Sequence, residues 1–299
     1  MTAKLTTLAK RLLWPALFSA AFAIFFYLTF PGEQLARRLE SEARAQGVEL
    51  SIGDLKPWRL SGLAAKQVEV KPPAIATSSN EPVHILLDEV DARVNLLPLL
   101  WLHTNVDVSV FVWNGKATGT FSTTKELSAL SLDVTDLDLV QAAPLRQLSG
   151  LELAGKISGK LKLSMDAKKG IPSATGRVDA KVAGGAITGG AIYGFPLKLA
   201  VGNVEAAMAI GNGDAKLEKL VTKGGDLESE GDGVLHIRPM LALSQLDAKI
   251  RFRPAQTWLD ANPLAKAGMS MIASAREPDG FYSYRVAGSL SAPVPRPGK

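Results

Sequence analysis

LELAGKISGKLKLSM, residues Leu151–Met165, indicates the fold class of this chain. Apolar residues and glycine alternate along it with residues that are mostly glutamate, lysine or serine. A period of two places every second side chain on the same face of a β-strand. At about 3.3 Å per residue the strand would be about 50 Å long, whereas most strands have about 5–6 residues. Its predicted apolar face comprises Leu151, Leu153, Ile157, Leu161, Leu163 and Met165.

The same alternation recurs on both sides of this strand, and the segments are separated by Gly, Asn or Pro. Helical patterns are few after Gln46, and the clearest of them cover Pro254–Ala261 and Pro263–Ala273. Further strands are predicted at Val48–Gly53, Gln67–Lys71, Val83–Leu87, Val90–Leu96, Val106–Val112, Ala117–Ser122, Arg177–Val182, Leu197–Val201, Val204–Ile210, Ala215–Lys223, Asp226–Ile237, Leu246–Phe252 and Tyr282–Leu290.

About a dozen strands with one apolar face each outnumber the helices that could cover them. The sheet must therefore curl on itself, pack as a sandwich, or have its apolar face covered by something else. We expect a mostly β protein whose long, curled antiparallel sheet forms a half-barrel or groove with a few short helices. Such a groove could hold an acyl chain, or it could be dry and filled by its own side chains.

The segment Leu12–Phe30 carries no charge and has the length of a membrane-spanning helix. Lys4, Lys10 and Arg11 precede it, so the positive-inside rule places residues 1–11 in the cytoplasm as a short tail. We expect a single-pass protein with a transmembrane helix at 12–30 and a membrane-proximal amphipathic helix at 31–47. A periplasmic β-rich domain at 48–292 and a frayed tail at 293–299 complete the predicted organisation. The alternative is a signal peptide cleaved near Ala23.

Charge and composition exclude several classes of function. The cytoplasmic tail carries three of the 34 basic residues, which leaves 31 basic against 29 acidic residues in the rest of the chain. This near neutrality gives no reason to expect nucleic-acid binding. Cysteine is absent, and the three histidines are widely spaced, so the sequence predicts no zinc site.

No spacing in the chain is typical of a catalytic site. Gly184–Gly190, GGAITGG, lacks the Lys-Ser/Thr of a P-loop and predicts a turn or a kink in a strand. No nucleophile–base arrangement and no pair of carboxylates suited to acid–base work is indicated. We therefore expect neither an enzyme nor a bound cofactor.

An acidic row at Asp226, Glu228, Glu230 and Asp232 would share one face of a strand. Such a row repels itself unless neighbouring cations compensate. A two-residue turn at Gly224–Gly225 would place lysines of the preceding strand opposite two of the four carboxylates, so compensation would be partial. The row therefore predicts either solvated cross-strand ion pairs or a polar site for calcium or a partner protein.

Five stretches together resemble the N protein of bacterial type II secretion systems, including its longer form that shares a pattern with AsmA-like proteins. The resemblance spans nearly the whole chain. The features that carry it include the strand–loop–Gly-Leu–strand opening and the LLPLLW segment before a valine-rich strand. The stretches are VELSIGDLKPWRLSGLAAKQVEV (Val48–Val70), VNLLPLLWLHTNVDVSVFVWNGKATG (Val94–Gly119), LELAGKISGKLKLSMD (Leu151–Asp166), GDLESEGDGVLHIRP (Gly225–Pro239) and YSYRVAGSLSAP (Tyr282–Pro293).

The resemblance implies an inner-membrane accessory of the type II secretion system, whose periplasmic domain helps to export folded exoproteins. Its partners would be membrane lipid and the bitopic platform proteins of that system. The AsmA-like relatives imply a second function, in which an apolar β-groove binds phospholipid and carries it between membranes. The family supplies no catalytic residues and no cofactor.

Overall fold

The computed structural model describes residues 21, 25, 27–45, 48–59, 61–71, 83–95, 98, 103–192, 195–238, 243–290 and 292–298. The strands of this part are β1 (Glu49–Trp58), β2 (Gly62–Lys71), β3 (Ile85–Val94), β4 (Thr104–Val112), β5 (Gly115–Thr123), β6 (Leu127–Asp138), β7 (Leu151–Asp166), β8 (Thr175–Ile192), β9 (Phe195–Pro196), β10 (Leu199–Gly211), β11 (Asp214–Lys223), β12 (Leu227–His236), β13 (Gln245–Pro254), β14 (Tyr282–Ser289) and β15 (Ala292–Pro297). The helices are α1 (Gly32–Ala45), α2 (Ala143–Ser149), α3 (Gln256–Ala261) and α4 (Pro263–Met271), with 3-10 turns at Leu139–Gln141, Ile171–Ser173 and Ala273–Ala275.

The strands form one antiparallel meander. From β1 to β15 each strand pairs with the next one along the chain, except that β10 follows β8 and the two-residue β9 pairs with β8 alone. The predicted mostly β, antiparallel fold with few helices is confirmed. At about 4.8 Å between strands, the meander is about 60 Å wide.

The sheet does not curl on itself, so the predicted half-barrel is wrong. Its strand path has two ends, β1 and β15, which do not pair with each other. Extensive contacts between strands are limited to neighbours in the sheet and to β10 with β12, so no second layer of described strands packs on the first. Of the alternatives left open by the sequence, a cover from outside the sheet fits this arrangement better than curling or a sandwich. Closure would also require a consistent strand tilt and stagger, which the alternation of residues does not encode.

The apolar sides of the strands lie on one face of the sheet. Because directly paired residues point to the same face, the register can be followed across the strands. One continuous row runs from β1 to β11 through Leu55, Ala65, Val90, Val110, Ala117, Val134, Gly159, Ala180, Ala206 and Leu220. We call this side of the sheet the apolar face and the other side the polar face.

The best-buried part of the apolar face lies at β1 and β2, under α1. Ala36 of α1 packs against Leu55, Ala65 and Val68, and each of the four is less than a tenth exposed. The predicted helix at 31–47 is therefore seen as Gly32–Ala45, packed on the sheet.

The predicted transmembrane helix at 12–30 falls largely outside the described residues, and the tail at 1–11 falls there completely. Within the part of the chain that is described, no helix combines the length and the apolar character needed to span a bilayer. Both assignments stay predictions.

The sheet differs from the prediction in two places. β8 is longer than expected, and β15 is an additional strand. β8 extends through the glycine-rich stretch as an 18-residue strand, and its pairing shifts register near Gly184, whose φ is +61°. The frayed tail predicted at 293–299 is wrong, because residues Ala292–Pro297 pair with β14 as β15. An edge strand tolerates the prolines of this segment where the missing N–H would point outward.

Candidate functional site

The six residues predicted for the apolar face all lie on β7, and each is half-buried. Leu161 and Leu163 stand opposite Leu132 and Leu130 of β6. On the other side, β8 supplies Val182 opposite Ile157. Leu151 and Leu153 pair with β8 beyond the register shifts, and Met165 stands opposite Ser128 at the other end of the strand. Their role as a binding surface stays a prediction.

The centre of the apolar face carries small side chains and no cover among the described elements. Gly159 and Ala180 face each other between β7 and β8, and Ala206 continues the row on β10. The described helices pack near the ends of strands: α1 on β1, α2 at the start of β7, and the turn at Ala273–Ala275 on β14. The result is a broad, shallow apolar surface whose side chains remain partly exposed.

The polar face is held by exposed ion pairs between strands. Asp133 and Lys160 face each other across β6 and β7, with 3.1 Å between Oδ2 and Nζ. Lys181 and Glu205 do the same across β8 and β10 at 3.4 Å. Exposed pairs of this kind each contribute only about 0–1 kcal/mol. The charged groups keep this face hydrated, whereas the other face of the sheet is apolar.

The acidic row is compensated from the strand that follows it, not from the strand before it. Glu228 stands directly opposite Arg253 of β13, Glu230 opposite Arg251, and Asp232 opposite Lys249. The predicted hairpin register is wrong, because Val221 pairs with Glu230 and Thr222 with Ser229. Sequence reasoning missed these basic partners, although KIRFR at residues 249–253 alternates with the same period as the row.

Asp226 lies just before β12 and hydrogen-bonds the β11–β12 turn to β10. This contact explains why the predicted register of the β11–β12 hairpin was wrong. The Asp226 carboxylate accepts a hydrogen bond from the Ala200 amide at 3.0 Å, and its own amide donates to the Ala200 carbonyl at 2.6 Å. The buried Thr222 hydroxyl donates to the Leu227 carbonyl and accepts from the Ser229 amide. These bonds favour a wider turn than the tight two-residue turn expected at Gly224–Gly225.

Arg251 is the centre of the largest charge cluster on the polar face. Its guanidinium bonds Glu230, Glu277 and Asp279, with 2.8 Å from Nε to Glu277. The Phe281 ring lies 4.8 Å from the guanidinium carbon. Burial tends to lower the pKa of Arg251, but hydrogen bonds from it to the surrounding carboxylates outweigh this effect and raise the pKa. The cluster attaches the turn before β14 to the polar face.

Arg251→Leu should therefore lower the thermal unfolding midpoint more than any other removal of one charge from this face. The substitution leaves three carboxylates without their shared cation, and they then repel one another. The measurement is thermal unfolding followed by circular dichroism. Arg177→Leu is the matched control, because Arg177 is more exposed and, among the residues that the structure describes, its ion pairs are with Asp179 and Glu218. Equal effects of the two substitutions would contradict the central role of Arg251.

Part of the acidic row also borders a cavity beside α3 and α4. Asp226 and Glu228 line this space of about 690 Å³, together with Arg253, Lys266 and Arg276. Both acidic and basic groups therefore line it. Within the described ranges, no group of three or more His, Cys, Asp or Glu side chains is placed to hold a metal ion. Whether the acidic row contacts a partner protein stays a prediction.

Both edges of the sheet are protected against pairing with a further strand. On β1, the Ile52 amide donates to Glu40 of α1 at 2.8 Å. On β15, the Gly298 amide donates to the Ser283 carbonyl of β14. Alternation along the strand then directs Pro293, Pro295 and Pro297 outward, where they have no N–H to offer. Natural sheets use the same devices to prevent edge-to-edge association.

Comparisons of the chain with protein-family models, with curated proteins and with solved structures found no match in any of the three. The resemblance to the N protein of type II secretion systems therefore stays a prediction from sequence.

Proposed function

We propose that this protein binds phospholipid acyl chains along the apolar face and carries them between membranes. The observation that carries the proposal is the continuous apolar face, about 60 Å across at about 4.8 Å per strand, which no described element covers at its centre. Monomeric soluble proteins rarely expose an apolar surface of this extent unless it binds something.

The form of the surface favours a chain-like ligand over a compact one. Gly159, Ala180 and Ala206 leave room in the middle of the face, while Leu132, Leu161 and other leucines flank them. A fully buried CH₂ contributes about 0.8 kcal/mol. An open face contacts one side of an acyl chain, so each CH₂ gains only part of that amount. Many contacts of this size sum to useful affinity while still letting the chain slide.

The secretion role, an inner-membrane accessory that contacts bitopic platform proteins, stays a second proposal that rests on the resemblance. One route to such contacts is the addition of a partner's strand to a free sheet edge. The Glu40 contact on β1 and the prolines on β15 oppose that route. Contacts with platform proteins would then involve the polar face and the acidic row. The inner-membrane location and the absence of enzymatic activity also stay predictions.

The test is mass spectrometry of the organic extract from the purified full-length chain. We expect phospholipid in at least stoichiometric amount, well above the amount carried by an unrelated single-pass protein purified in parallel. A strain without residues 31–299 should have a weaker outer-membrane barrier and normal export of secreted enzymes. Absence of bound phospholipid, together with reduced exoprotein export and an intact barrier, would overturn the proposal in favour of the secretion role.

A further inference from the structure

A second cavity lies on the polar face, away from the surface proposed for lipid. It extends over β3 to β6 with a volume of about 550 Å³. Asp91 and Arg93 line it from β3, and Ser109 and Phe111 line it from β4. Lys116 of β5 lies over the Phe111 ring, with 5.0 Å between its Nζ and the ring centre.

Three polar atoms in this cavity are buried without a hydrogen-bond partner among the described residues. They are the Asp91 Oδ1, the Arg93 Nε and the Ser109 Oγ. Neighbouring lining groups are satisfied, because Asp107 accepts from Asn95 and Thr120 at 2.9 Å each. The unpaired groups therefore lie together on adjacent strands.

Unpaired buried polar groups reduce stability. Each such group loses its bonds to water without replacing them, at a cost that mutational series put at about 1–3 kcal/mol. Burial, and then the nearby charge of Glu89, raises the pKa of the Asp91 carboxyl. An unpaired cluster of this kind calls for an explanation, such as a ligand that completes its hydrogen bonds.

The charges and donors in the cavity define the ligand. The charged lining residues are three cations, Arg59, Arg93 and Lys116, and three anions, Asp91, Asp107 and Asp133. Because the two charges balance, the site as a whole favours a neutral ligand. The unpaired groups include a donor on Arg93, an acceptor on Asp91 and a hydroxyl on Ser109 that can act as either. A sugar hydroxyl also both donates and accepts.

We infer that this cavity binds a saccharide of one or two rings, with Asp91, Arg93 and Ser109 bonding its hydroxyl groups. Phe111 is 37% exposed among mostly polar lining residues, and it offers an apolar surface to the C–H face of a sugar ring. The site is independent of the proposed lipid surface, because it lies on the opposite side of the sheet.

The test is isothermal titration calorimetry of the full-length chain in a detergent without a sugar head group. Maltose, cellobiose and N,N′-diacetylchitobiose are the probes, and phosphoethanolamine is the zwitterionic comparison. We expect saturable binding of at least one saccharide at millimolar concentration or below. Ser109→Ala and Arg93→Gln should each weaken that binding by about tenfold or more, since each removes a buried hydrogen bond.

Asp91→Asn separates a binding role from a structural one. In the ligand-free protein it should leave the thermal midpoint unchanged or raise it, because burial and the charge of Glu89 outweigh the attraction of nearby cations for the carboxylate, while saccharide binding falls. Lys181→Gln, on the same face but outside the cavity, should change neither the thermal midpoint nor the saccharide affinity. If Arg93→Gln does not fold, the saccharide affinity of Ser109→Ala alone decides between a binding role and a structural one. Absence of saturable binding by the folded wild-type chain would overturn the inference. So would binding of phosphoethanolamine alone, or unchanged affinity in Ser109→Ala.

Discussion

Ile157→Asp should reduce the phospholipid bound per chain by roughly half or more. Ile157 lies near the middle of the apolar face, between Leu137 of β6 and Val182 of β8. A carboxylate there must lose water where an acyl chain crosses β7, which costs several kcal/mol unless it is protonated. The lipid-free sheet should lose only about 1–2 kcal/mol of unfolding free energy, because the side chain is half-buried and the new carboxylate stays hydrated. Lipid mass spectrometry and chemical denaturation measure the two effects.

Lys162→Asp is the matched control on the polar face of the same strand. Lys162 is exposed and stands opposite Arg177 of β8, so the introduced carboxylate meets a cation. Bound lipid and stability should both stay close to wild type. If the two variants lost lipid equally, the assignment of the faces would be wrong. If Ile157→Asp prevented folding outright, the apolar face would have to be a closed core.

Gly202→Val should be among the most destabilising single substitutions in the sheet, with a loss of about 3–5 kcal/mol of unfolding free energy. The φ of Gly202 is +76°, a conformation that costs a β-branched residue energy. A Cβ at this position would also overlap the Lys223 carbonyl oxygen and the backbone of Gly224 and Gly225. Because all these atoms belong to the backbone, the strand itself must move. Urea denaturation measures the loss.

Gly211→Ala, near the other end of β10, serves as the control for that substitution. A Cβ at Gly211 meets no atom within 4 Å, and its φ is not in the left-handed region. We expect a change within about 0.5 kcal/mol. A similar cost for both variants would mean that general loss of glycine freedom, rather than the positive φ and close backbone contacts of Gly202, explains the effect.

The period-two pattern predicted the β class and the residues that share a face because alternation is a local property of the chain. β7 begins at Leu151 as predicted and ends one residue later, at Asp166. The alternation is interrupted on β3, where the apolar side steps from Leu87 to Val90. β2 makes the same step, from Ala65 to Val68, directly opposite. All four side chains therefore stay in one cluster.

The pairing register of the strands, the curvature of the sheet and the cover of its apolar face could not be predicted from local alternation. The cations opposite Glu228 and Glu230 come from β13, after a connection at residues 237–244 that carries no tight-turn signal. The register of the β11–β12 hairpin depends on Asp226 bonding to Ala200, a contact between separate strands. The sequence indicates that an apolar face exists, but not what covers it, and so the curl was wrongly expected. The cavity at Asp91 needed the four strands β3 to β6 in register before its residues came together.

The strictly sequential order of the strands also has a kinetic consequence. Each long-range pairing joins segments that are adjacent along the chain, so loop closure never requires distant segments to find each other. The relative contact order is therefore low for an all-β protein, which favours fast folding. Like a repeat array, the sheet can grow one hairpin at a time from a formed edge. A chain of this topology can fold vectorially as it is synthesised, with α1, β1 and β2 as the template on which every later strand is added.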